Sequence, residues 1–216
     1  MTELMQKKID SGREYRSLKL EIIPDTEERI VEGYATTYNE PYYLYSFIDE
    51  LGRHVVNEQV DPNAFDEADM SDVIFQYDHE GRVYARLSNG TMTLESDEHG
   101  LKVTANLGGT EIGRSLYEEI KGGYTNKMSF GFTVAEDDIQ ADGLNFVRTI
   151  RRIGKLFDVS AVSYPQNGFT EISARNRCEG VIAEIEAERL RAVEEEKRQQ
   201  EKREALLSRI RELKGE

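Results

Sequence analysis

Tryptophan is absent from this 216-residue chain, cysteine occurs once, proline four times and histidine three times. The single Cys178 can form neither an internal disulfide nor a cysteine zinc site by itself, and sparse cysteine suits a reducing compartment. Long apolar runs are missing as well. None approaches the roughly 20 residues of a membrane span, and the opening MTELMQKKIDSGREYRSLKL lacks the apolar stretch of a signal peptide. Basic charge is scarce: 28 Lys and Arg face 42 Asp and Glu, giving a formal net charge of -14. Holding a phosphate backbone needs the opposite balance, so neither nucleic acid nor membrane is expected as a partner. There is no GxxxxGKS/T phosphate loop, no GxGxxG after a strand, no HExxH and no cysteine pair. Nucleotide enzymes and zinc hydrolases are thereby disfavoured, and no cofactor or metal is expected.

What is present divides near residue 175. Residues 176–216 hold 11 acidic and 10 basic residues with no proline and no aromatic side chain, so the acidity belongs to the front of the chain. Strong helix formers dominate this tail, and only narrow apolar stripes run along it, as at Leu206, Ile210 and Leu213. The pattern predicts a charged helix, either solvated or used for docking. Residues 1–14 are expected to be a flexible N-terminus.

Residues 15–175 read mostly as strands. The turn signals ELGR and SDEHG each separate two β-branched or apolar runs, as hairpins do. Thr110 is placed to cap a helix with Ile112, Leu116 and Ile120 on one face, ended by Gly122. Strands are expected over 73–79, 128–135, 144–153 and 156–163. The expected class is α+β: a mainly antiparallel β-barrel with one or two packed helices, plus the C-terminal charged helix.

With cofactor chemistry disfavoured, acid–base and nucleophilic groups remain. His54 and His99 lie at hairpin turns and read as solvated loop residues. His79 ends the run Val73-Ile74-Phe75-Gln76-Tyr77-Asp78-His79 in phase with Val73, Phe75 and Tyr77. It suits a general base, although the pattern by itself favours a satisfied strand-end histidine. In Met128-Ser129-Phe130-Gly131-Phe132 the apolar residues share one face, which turns Ser129 to the other beside Gly131. Bare Gly131 would let a peptide backbone approach a serine nucleophile, although an ordinary exposed strand serine has the same pattern. Asp158 interrupts the apolar run Leu156-Phe157-Asp158-Val159-Ser160-Ala161-Val162 and needs a partner there, a histidine or Arg151 or Arg152.

These segments together resemble the prohead (capsid maturation) proteases of tailed bacteriophages of the HK97 type. The likeness runs through Val31-Glu32-Gly33-Tyr34-Ala35, Asp61-Pro62-Asn63-Ala64-Phe65, Tyr77-Asp78-His79-Glu80 and Gly100-Leu101-Lys102-Val103. It continues through the helix Gly113 to Gly122, Met128-Ser129-Phe130-Gly131-Phe132 and Phe157-Asp158-Val159-Ser160-Ala161-Val162-Ser163-Tyr164-Pro165. After Pro165 the chain departs from the family pattern with Gln166-Asn167-Gly168.

The resemblance implies a serine endopeptidase with a fold similar to that of herpesvirus assembly proteases. It implies Ser129 as nucleophile, His79 as base and Asp158 as the orienting acid, with Glu95 and Asp97 as rivals for the third place. Lys127 is a competing base for Ser129, and amides around Ser129 to Gly131 are the expected oxyanion donors. The implied partner is the major capsid protein, whose scaffold segment would be cleaved, together with self-cleavage and a possible dimer. The implied place is the host-cell cytoplasm, inside the assembling prohead. A non-enzymatic capsid assembly protein that docks through its helical tail is the alternative.

Overall fold

A computed structural model describes residues 12–22, 27–49, 52–163 and 167–214. Ten strands are β1 (Arg13–Ile22), β2 (Ile30–Thr37), β3 (Tyr42–Asp49), β4 (Gly52–Val60), β5 (Ile74–Tyr77), β6 (Glu80–Arg86), β7 (Met92–Ser96), β8 (Gly100–Asn106), β9 (Lys127–Asp142) and β10 (Asn145–Val162). Two α-helices are α1 (Glu111–Lys121) and α2 (Asn167–Lys214). The chain divides into two compact units, Met1–Arg175 and Asn176–Glu216.

The main sheet runs β3-β4-β10-β9-β1-β2-β8-β7, with β5 and β6 attached beside β10. The fold is α+β as expected, but the sheet is not closed into a barrel. An isolated bridge from Tyr38 to Val60 touches the end of β2 to the end of β4, and among the described residues no ladder completes the ring. Pairing is mostly antiparallel. The exceptions lie along β10, whose first half pairs parallel with β4 and whose second half pairs parallel with β5. An 18-residue strand is long enough to serve both neighbours in turn.

Hydrophobic burial follows the alternation of β9, where Met128, Phe130 and Phe132 are fully enclosed. They pack with Phe75, Leu156 and Val159 and with Leu116, Tyr117 and Ile120 of α1. Helix α1 begins where Thr110 Oγ1 accepts the Gly113 amide at 3.0 Å, which satisfies one of the free N–H groups of its first turn.

One buried feature has no hydrophobic explanation. Arg148 is fully enclosed and donates to Glu14, Glu58 and Asp137, while Arg16 donates to Glu14 and Glu58. These five side chains come from β1, β4, β9 and β10. Burial pushes the Glu14 carboxyl up, but Arg16 and Arg148 outweigh it and hold it at about 2. The pairing keeps each charge compensated away from water.

Candidate active site

Two residues, Asp78 and His79, form the whole turn between β5 and β6, and Tyr77 pairs directly with Glu80 across it. Both turn residues have positive φ, 48° and 59°. That is the turn whose twist suits a two-residue hairpin, a place where Asn-Gly is commonest. His79 thus stands outside the strand alternation expected for it, and the left-handed backbone aims its ring.

Ser129 lies on β9 directly between Ser17 of β1 and Ser160 of β10. The next position on the same face places Gly131 between Tyr15 and Asp158. The register of β10 shifts between Leu156 and Asp158, which re-aims Asp158 to the face that carries Ser129.

The turn and the bulge bring the three predicted side chains together. His79 Nε2 lies 2.7 Å from Ser129 Oγ. On the other side of the ring, Nδ1 is hydrogen-bonded to Asp158 Oδ1. A carboxylate only accepts, so Nδ1 carries the proton and Nε2 is left to accept from the serine hydroxyl. The edge of the Tyr15 ring meets the imidazole at a centroid distance of 4.3 Å. Burial, and then the charge of Asp158, push the Tyr15 phenol up to about 12, so it stays neutral. His79 and Ser129 are each 1% exposed and Asp158 2%.

Gly131 has a different use from the one expected. A Cβ there would lie 2.6 Å from Asp158 Oδ2 and 2.8 Å from Tyr15 Cε1. The missing side chain makes room for the aspartate and the tyrosine ring rather than for a substrate backbone. The expected oxyanion donors are also displaced. Residues 128–132 pair with β1 on one side and β10 on the other, so their amides point along the sheet and not above it.

The rivals are engaged elsewhere. Asp97 accepts from Tyr34 at 2.7 Å and from the His99 and Gly100 amides, and Glu95 lies opposite Lys102 on β8. Arg151 is bonded to Asp61, and Arg152 lies against Glu67 and Glu136, so neither takes Asp158. Lys127 lies opposite Lys19 and Val162, while the imidazole takes the Ser129 hydroxyl. His99 is exposed, as expected. His54 is not: it is fully buried, stacked on Phe47 at 4.6 Å and bonded to Asp49 at 2.8 Å. Its ring follows the inward alternation of β4, which outweighs its closeness to a turn. Two neighbours of the trio, Tyr15 and Ser160, went unnoticed in the sequence; their shared face with Ser129 needs the register of three strands.

No curated protein sequence matches the chain. Among solved structures it is similar to the bacteriophage T4 capsid assembly protease, gp21. That match has 10% identity and a TM-score of 0.42, and it covers 69% of this chain and 96% of the other. The model describing caudovirus prohead serine proteases matches residues 16–182, well over half the sequence and the whole stretch that carries His79, Ser129 and Asp158. On that match, the chain belongs to the caudovirus prohead serine protease family.

Proposed function

We propose that Ser129 is the nucleophile, His79 the general base and Asp158 the orienting acid of a capsid maturation endopeptidase. The observation that carries this reading is the unbroken path Asp158–His79–Ser129, with 2.7 Å between Nε2 and Oγ. That is hydrogen-bond reach for proton transfer. As Oγ attacks the scissile carbonyl, Nε2 takes its proton. Asp158 keeps the tautomer and stabilises the imidazolium. The proton then goes to the leaving amine, an acyl group stays on Ser129, and water activated by His79 releases it. With Ser129 1% exposed, a scissile bond reaches Oγ only after local opening.

The proposed substrate is the scaffold segment of the major capsid protein, with the chain's own 170–185 junction as a second target. The proposed place is the assembling prohead in the host-cell cytoplasm, and a dimer is the proposed state. The test is intact mass over time for wild type and Ser129→Ala, each co-expressed with the capsid protein. Trimming in wild type alone is expected. Equal masses in both would favour the non-enzymatic assembly reading.

A further inference from the structure

We infer that Ser160 is a positioning residue that holds the Asp158 carboxylate for His79, an inference that rests on the triad reading above. Ser160 is fully buried, and its Oγ donates to Asp158 Oδ1 at 3.0 Å. The same oxygen receives His79 Nδ1–H. A serine hydroxyl has one proton, and a carboxylate can only accept, so the Ser160 proton is committed to Asp158. This also sorts the three serines that lie side by side on β1, β9 and β10. Ser129 alone meets the imidazole, Ser160 serves the acid, and Ser17 lies opposite Ser129 on the far strand.

The arrangement is built by the chain. Asp158 and Ser160 are two apart on β10, so they share a face, and the register shift at Asp158 sets which face that is. The carboxylate then has three restraints. Oδ1 is fixed by His79 and Ser160, and Oδ2 rests over the bare Cα of Gly131. Without the Ser160 hydroxyl the imidazole alone would fix Oδ1. The group could turn about its side-chain torsions, and the imidazole would turn with it.

The test follows modification of Ser129 by diisopropyl fluorophosphate, read by intact mass, in the full chain. Wild type, Ser160→Ala, Asp158→Ala and the double variant are compared, and the low-field proton resonance of His79 Nδ1 is recorded for each. Ser160→Ala is expected to slow modification ~10-fold, part of the ~100-fold that a displacement of a full ångström brings. It is also expected to shift or broaden the Nδ1 resonance, which a merely structural role would leave in place. Once Asp158 is alanine, removing Ser160 should slow the reaction no further. An unchanged rate and resonance in Ser160→Ala would overturn the inference, as would losses that multiply in the double variant. If the alanine variant does not fold, Ser160→Cys replaces it. An intermediate rate with a moved resonance supports the inference, and wild-type values overturn it. Failure of the triad reading looks different: Ser129 would then react equally fast in His79→Ala, while the Nδ1 resonance compared between wild type and Ser160→Ala, which both keep His79, would still report whether Ser160 holds Asp158.

Discussion

Replacing Gly131 with alanine adds one methyl group, and the structure states what that group meets. Ordinary contact begins near 3.4 Å, so Asp158 Oδ2 at 2.6 Å must retreat by about 0.8 Å and Tyr15 Cε1 at 2.8 Å by nearly as much. Neither has room to move freely, since Asp158 is 2% exposed and Tyr15 likewise 2%. Overpacking of this kind costs about 1–3 kcal/mol of stability. The larger effect falls on chemistry: the carboxylate carries His79 with it, and a shift approaching 1 Å is worth ~100-fold in rate. Gly131→Ala is therefore expected to stay folded and to react with diisopropyl fluorophosphate ~100-fold more slowly than wild type. Gly154→Ala is the control. Its Cβ would meet Thr133 Oγ1 at 3.1 Å and no atom of the trio, so a rate close to wild type is expected. A wild-type rate in Gly131→Ala, with the protein folded, would refute the claim that the missing side chain makes room for Asp158.

Three further outcomes follow from the same structure. Asp158→Asn keeps the shape but lets the imidazole take the wrong tautomer, and a loss of about ten-thousand-fold in Ser129 modification is expected. Arg148→Met leaves Glu14, Glu58 and Asp137 buried with fewer cations, and calorimetry or denaturant unfolding should show about 3–5 kcal/mol lost. Glu14, depressed from 4.5 to about 2, binds protons less readily folded than unfolded. Its contribution is present above its unfolded value and is lost as pH falls through the folded one, so stability measured between pH 5 and pH 2 should fall, and fall less in Glu14→Gln.

Much of the fold follows from local signals. Strands β3 and β4 pair antiparallel up to Asp49 opposite Gly52, SDEHG joins β7 to β8, and Thr110 caps α1 as a hydroxyl at that position should. Two readings fell short for physical reasons. Strand β6 is absent from the sequence reading because its turn is Asp-His, which carries none of the glycine that usually marks a two-residue hairpin. The stretch DDIQADG looks like a loop, yet β9 runs to Asp142 and turns only at Gly143, whose φ is 59°. Its polar residues are tolerated because this outer part of the hairpin is mostly half-buried or exposed. The ion cluster was illegible for the opposite reason. Glu14, Arg16, Glu58 and Arg148 sit in strand positions that a charge pattern assigns to solvent, and only the meeting of four strands buries them together.

The candidate site shows how residues that meet in space can be found by an incomplete argument. Alternation put His79 in phase with Phe75 and Tyr77, whereas a left-handed turn delivers it, with φ of 59° in a residue that bears a Cβ. Such a conformation costs about 1–3 kcal/mol and persists only where the surroundings fix it. Here the surroundings are the bond to Asp158, the bond to Ser129 and the ring of Tyr15. Alternation also placed Ser129 on the face opposite Phe130 and Phe132, and that is correct. It could not show that this second face is covered too, because the cover is made by residues 50 positions before Ser129 in sequence and by the distant β1. A period of two reports which way a side chain points. What stands in front of it depends on a turn, a bulge and a register, and those are the three features that make this serine a candidate nucleophile.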